Sequence, residues 1–307
     1  MIGIKGIVQE KGGFAMGKIV LTFICLLFVF SVSAEDLGYY RVHSLKEGMS
    51  ADEIMQIMYH NKYSLFAHDY SSTNEVLYVD SGGFTRKKSA TRQRLIKGGE
   101  DGISYKDLVE VTYPTKVKGL AILTWTYEDP EKDQNVWLWV PSLKKVRKIS
   151  ASQDDDAFMG SDLTVEEVST RRFEDEEYTL LGEKKFEGYA FEHNGEVKYK
   201  GNDCFVIECT PLKPHWYYAK RIVWVDKETG GGIFEEYYDK NGQLFKTLFR
   251  EWVFMDVEGK KYPTQLALEC KDLRTGHRTD IFLDNIVYDR QINEQVFTVK
   301  SLMRTKW

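Results

Sequence analysis

Cysteine is scarce in this sequence. There are four in 307 residues, and Cys25 falls inside an N-terminal apolar run. The other three, Cys204, Cys209 and Cys270, are an odd number, which excludes a complete disulfide framework. Cys204 and Cys209 fall on opposite faces of one strand, so they do not bond each other. A Cys209–Cys270 bond and three buried free thiols both stay open. No C-x-x-C pair or Cys/His spacing points to zinc. The six histidines are scattered, without H-E-x-x-H. There is no G-x-S-x-G elbow and no phosphate loop. Gly230, Gly231 and Gly232 precede no helix and mark a turn. Asp154, Asp155 and Asp156 lack the one-apart spacing and central glycine of an EF-hand loop. Glu235 and Glu236 are adjacent in a strand, point to opposite faces and form no carboxylate pair. The expectation is a protein that is not an enzyme and needs no metal or cofactor. A catalytic cluster drawn from distant positions stays open.

Positive charge is also short. The net charge is −5, and it becomes −7 once Lys5, Lys11, Lys18 and Glu10 are removed with residues 1–34. Such a chain has no electrostatic footprint for nucleic acid. Residues 1–34 read as a secretory signal peptide. Lys18 precedes an apolar run over residues 19–30, and Val32, Ser33 and Ala34 offer a small-residue cleavage site. The run is shorter than the ~20 residues of a membrane span. Met16 is a second candidate start. Residues 35–307 are then expected to form one domain.

What is abundant is strand. Ser50 and Glu53 form a capping box for a helix reaching Tyr59. Thr164 and Glu167 form another, with a short helix expected over residues 165–171. Between and after them lie strand patterns at residues 75–79, 84–96, 120–127, 135–140, 178–185, 205–210, 220–225, 234–238, 244–253, 262–269 and 279–287. Explicit turns separate several of these, the clearest being Asn241-Gly242. Strands so close together pair antiparallel, because a parallel pair needs a crossover of a dozen or more residues. The fold class is therefore mainly β with a few helices. It is one large curved antiparallel sheet, a half-open β-barrel, with helices across its concave face.

Aromatics are the second abundance, with 7 Trp, 18 Tyr and 17 Phe. The hairpin over residues 119–149 carries bulky apolar side chains at odd and even positions alike. Both of its faces are covered, or one lines an apolar cavity. Pairing Trp125 with Trp137 places Leu123 opposite Trp139 and puts all four on one face with Ala121. That face is the expected ligand wall, with Phe158 and Met159 near its mouth. Trp224 joins the candidate ligand-binding set. Phe158 and Met159 fit a plain core role and a lid role equally.

Several stretches are similar to the LolA-like outer-membrane lipoprotein-sorting proteins. They are Lys118-Gly119 with the run to Trp125, residues 137–149, and Phe158-Met159-Gly160-Ser161-Asp162-Leu163. Residues 204–211, Val223-Trp224-Val225-Asp226-Lys227, Tyr238-Asp239-Lys240-Asn241-Gly242 and Phe297-Thr298 before Leu302 complete the set. The resemblance implies a half-open barrel that carries lipids or lipoprotein acyl chains across the periplasm. It also implies an inner-membrane transporter of the RND type and an outer-membrane acceptor as partners. Arg86 is the candidate for the arginine that latches the lid in smaller carriers. Extra strand material lies over residues 178–199. The alternative is a lipid-sensing regulatory protein of the same fold, which changes a protein contact instead of releasing cargo.

Overall fold

The computed structural model describes residues 45–149 and 157–303. The signal-peptide expectation and the acidic loop at 151–156 lie outside them. The first half contributes helix α1 (Ala51–Lys62) and strands β1 (Asp69–Val79), β2 (Thr85–Ile96), β3 (Ile103–Tyr113), β4 (Ala121–Tyr127), β5 (Asn135–Val140) and β6 (Lys145–Ile149). The second half contributes β7 (Glu176–Lys185), β8 (Tyr189–Ala190), β9 (Val197–Lys198), β10 (Asp203–Pro211), β11 (Lys220–Asp226), β12 (Gly232–Tyr238), β13 (Leu244–Val257), β14 (Lys260–Asp272) and β15 (His277–Tyr288). A one-turn helix α2 (Val299–Leu302) follows.

Thirteen of these strands form one antiparallel sheet in the order β6-β5-β4-β3-β2-β1-β15-β14-β13-β12-β11-β10-β7. It is not a simple meander. Strand β1 pairs with β15, so the two halves meet in the middle and β6 and β7 become the edges. Strands β8 and β9 pair only with each other. The Asn241-Gly242 turn forms as expected. Gly242 takes φ 75°, and Asp239 Oδ1 accepts from the amides of Asn241 (2.8 Å) and Gln243 (2.9 Å). Strand β3 is one that the sequence patterns did not reveal. Lys106, Asp107 and Glu110 interrupt its apolar alternation, yet Lys106 and Asp107 are buried.

The sheet is strongly curved. Tyr105 on β3 and Phe205 and Ile207 on β10 belong to one apolar cluster around α1. Those strands stand eight places apart in the sheet, ~38 Å if it were flat at ~4.8 Å per strand. A helix only ~10–12 Å across can touch both because the sheet wraps it. The helix presents Ile54, Met55, Met58 and Tyr59 to the sheet. Its capping box is complete: Ser50 Oγ accepts from the Glu53 amide (3.3 Å), and Glu53 Oε2 accepts from the Ser50 amide (2.8 Å). Replacing Ser50 with alanine is expected to cost about 1 kcal/mol, read as a lower urea midpoint. A midpoint equal to that of the parent protein would count against the cap.

The second capping box also forms, between Thr164 and Glu167 (2.8 and 3.1 Å). The short helix expected over residues 165–171 follows it, as a single π turn, Glu166–Thr170. The Arg171 amide donates to the Glu166 carbonyl five residues back (3.0 Å), and the two side chains are ion-paired. That buried pair accompanies the wider turn. Residues 157–171 thus form a strap across the concave face. Leu163 packs there with Tyr218, Tyr237, Leu248 and Leu268, so both capped segments lie on that face.

The other face of the sheet is covered as well. Phe186, Tyr189, Phe191 and Tyr199, from β7 to β9 and their loops, close over Trp224, Phe234, Phe249 and Phe282. This accounts for the extra strand material over residues 178–199. Further along, Phe297 and Leu302 from the C-terminal segment cover the β4–β5 hairpin. Cys204, Cys209 and Cys270 are free and buried, and burial pushes all three thiols up, Cys204 to about 12.

Candidate functional site

The β4–β5 register differs from the expected one. Leu123 faces Trp137, Ala121 faces Trp139 and Trp125 faces Asn135. The loop between the strands takes up residues 128–134 and sets a pairing two places away from the symmetric guess. A slip of two preserves the faces, because side chains alternate with period two. Ala121, Leu123, Trp125, Trp137 and Trp139 therefore do share one face.

That face is not the wall of the concave cavity. Val109 on β3, which lines the cavity, pairs with Ile122, whereas Leu108 pairs with Leu123. Ile122, Thr124 and Leu138 consequently share the cavity's face, and Leu123 and the three tryptophans lie on the opposite one. There Phe297, Leu302, Val296 and Val299 cover them, and Trp125 Nε1 donates to the Phe297 carbonyl (2.9 Å). Trp224 is on the same outer face, against Phe186 and Phe234. The expectation that these five line the cavity is corrected on this geometry. A periodicity of two defines two faces but does not say which one curves inward. Phe158 does line the cavity; the Met159 side chain lies outside the described residues. Arg86 is exposed at a shallow depression beside Gly160.

The cavity measures about 110 Å³ and lies under the strap, beside the C-terminal end of α1. Its apolar wall comes from Val76, Ala90, Val109, Val111, Leu268 and Ile281, capped by Phe158, Leu163 and Val168. Strap and sheet are tied by Asp162. Its amide donates to Thr279 Oγ1 (3.0 Å), and Thr279 Oγ1 donates to its carboxylate (2.7 Å).

Beside the cavity runs a buried network of charge that sequence reading missed. Glu176 accepts from Arg221 (2.7 and 2.5 Å), Tyr218 (2.7 Å) and Tyr59 (3.3 Å). Glu235 accepts from Arg221 (2.8 Å), Tyr237 (2.7 Å) and Arg250. Arg171 carries the strap into the network through Glu166, Tyr217 (3.1 Å) and Tyr237 (3.1 Å). Glu167 accepts from Lys246 (3.0 Å). On the β1–β3 side, Asp107 accepts from Arg92 (3.0 Å) and Arg94 (2.7 Å). Burial alone would raise these carboxyls. The arginine charges beside them win, holding Glu176 and Asp107 down to about 2 and Glu235 well below its usual range. Each of these carboxylates is committed to a cation and so is poorly placed to act as a base.

Lys62, at the end of α1, is different. Among the described residues it has no hydrogen bond or ion pair, and its Nζ lies 5.1 Å from the Tyr63 ring and 6.0 Å from the Tyr59 ring. Burial first, and then the charges of Arg250 and Arg171, push its ammonium well below the ordinary lysine range. Counting these groups, seven basic side chains (Lys62, Arg92, Arg94, Arg171, Arg221, Lys246, Arg250) face five carboxylates (Asp107, Glu166, Glu167, Glu176, Glu235). Period-two arginines at 92 and 94 were the available sequence signal. Without β3 and its Asp107 they read as a solvated face. Among the described residues no group of three His, Cys, Asp or Glu stands ready to hold a metal ion, and no helix is long and apolar enough to cross a membrane.

Comparison with solved structures gives the same fold. A domain classed as an outer membrane lipoprotein-sorting protein, from Vibrio parahaemolyticus, aligns at a TM-score of 0.69 and 24% identity, covering 83% of this chain and 98% of that one. A DUF1329 family protein from Desulfovibrio piger ATCC 29098 aligns at 0.66 and 24%, covering 88% and 99%. A LolA superfamily protein from Nitrosomonas europaea aligns at 0.57 and 19%, covering 83% and 100%. None of the curated proteins matches the sequence. A family model described as "Uncharacterized protein", of the DUF1329-like kind, matches residues 104–304. With well over half of its length matched, and with the LolA-like fold, the chain belongs to the DUF1329-like family.

Proposed function

We propose that this protein is a periplasmic carrier that holds the acyl chain of a lipid or lipoprotein in its concave face and releases it to an acceptor. The observation that carries this reading is the largely apolar cavity between the sheet and the strap, a piece that is not part of the sheet, with Lys62 at the end of α1 on its rim. Each buried CH₂ contributes ~0.8 kcal/mol, so a few methylenes give reversible binding without covalent chemistry. At about 110 Å³ the cavity is smaller than the ~150 Å³ that accepts benzene elsewhere. A longer chain enters only if the strap yields. Lipoprotein sorting is what the Vibrio relative's description names, and the N-terminal pattern of residues 1–34 supports export. A carrier needs a donor and an acceptor. An inner-membrane RND-type transporter and an outer-membrane acceptor are the partners this reading assigns.

Decanol, uncharged, tests the cavity alone. Calorimetric titration is expected to show saturable one-to-one binding. Replacing Ala90 with phenylalanine fills the apolar cavity and is expected to weaken that binding at least ~10-fold with the near-ultraviolet circular dichroism unchanged. Absence of decanol binding by the parent protein would sink the carrier reading.

A further inference from the structure

We propose that the ligand is an aliphatic monocarboxylate, with its chain in the apolar cavity and its carboxylate held by Lys62 and Arg94 in a polar cavity that adjoins it. This deepens the carrier reading and rests on it. The two cavities are contiguous: Lys62, Arg92, Arg94, Gln265 and Leu283 line both. The second is small, about 50 Å³, and is finished by polar groups such as Asn61, Ser64 and Tyr70. A water needs only ~10–15 Å³ of such space, so the cavity has room for a carboxylate.

Two donors at the shared wall lack acceptors. One is the Lys62 ammonium, which has only aromatic rings beside it among the described residues. The other is Arg94 Nε, a buried N–H without a hydrogen-bond partner on a side chain 4% exposed. The rest of the Arg94 guanidinium is fixed, donating to the Tyr63 carbonyl (2.7 Å) and to Asp107 (2.7 Å), so the group is held in place and not free to seek solvent. Asp107 already serves both Arg92 and Arg94, which leaves that trio one positive charge in excess. Arg94 Nε is a buried donor without an acceptor, which is unfavourable, and the half-buried Lys62 ammonium stands at the same wall. One carboxylate would satisfy both. The remaining unpartnered atom of this cavity, Asn61 Oδ1, is an acceptor and does not compete for the anion.

The test is calorimetric titration of the purified protein with decanoate, decanol and decyltrimethylammonium. Decanoate is expected to bind at least ~10-fold tighter than decanol, and the cation more weakly than either. Lys62→Met keeps the stem and removes the charge. It is expected to bring the decanoate-to-decanol affinity ratio down to about 1, whatever the affinity for decanol itself becomes, and Lys62→Gln should behave the same way if the methionine variant folds poorly. Equal affinities for decanoate and decanol, or an unchanged ratio in both variants, would overturn anion recognition while leaving the carrier reading intact. If neither decanoate nor decanol binds, both fall together.

Discussion

Replacing Glu235 with alanine should destabilise the protein by about 3–5 kcal/mol, because it leaves buried cations without their counter-charge. Glu235 joins Arg221 on β11 to Arg250 on β13 and stands 3.6 Å from Arg171 of the strap. All four side chains are almost fully buried. Chemical denaturation measures the loss, and a change under ~1 kcal/mol would show that the arginines find other partners. The acid limit of the fold has the same origin. Glu176 and Asp107 titrate at about 2 in the folded protein, below their ordinary values of 4.5 and 3.8. A depressed folded pKa adds stability that is present above the unfolded pKa and lost as pH falls through the folded one. Stability is therefore expected to hold above pH ~4.5 and to drop by a few kcal/mol between there and pH ~2. Stability independent of pH across that window would refute the assignment.

Phe297→Ala is expected to cost about 3–5 kcal/mol as well, yet to leave decanol binding intact in the folded protein. Phe297 is fully buried against Ala121, Leu123 and Trp139, on the face away from the cavity. Its backbone carbonyl also anchors Trp125. The variant separates the two faces experimentally. Loss of decanol binding in the folded variant would return the tryptophans to the ligand site. Thermal unfolding and titration of one sample decide it.

Local chemistry was readable wherever it was self-contained. Ser50 with Glu53, Thr164 with Glu167, and Asn241-Gly242 each carry their own hydrogen-bonding logic, and all three form. Faces were readable too, because alternation survives a slip of two. What could not be read was long-range. Which face of the Trp125–Trp137 hairpin turns inward depends on a C-terminal segment some 170 residues away. Strand β3 was hidden because Lys106 and Asp107 look solvated. Lys106 in fact pairs with Glu294, and Asp107 with Arg92 and Arg94. The interior arginines were illegible for the same reason. A charged residue in a strand reads as a wet one until its distant partner is known.

The pairing of β1 with β15 has a consequence for the birth of the molecule. Tyr70 meets Tyr288, and Val76 meets Ile281, across about 200 residues of chain. A chain emerging N-terminus first makes β1 through β6 long before β15 exists. Until then β1 is an eleven-residue edge with one row of unsatisfied amides and carbonyls. Contacts this far apart in sequence slow folding, and exposed edges of this kind invite wrong partners. The nascent half-sheet is thus the most aggregation-exposed state in the life of this protein, and a factor that shields strand edges would act on it before the last strand arrives.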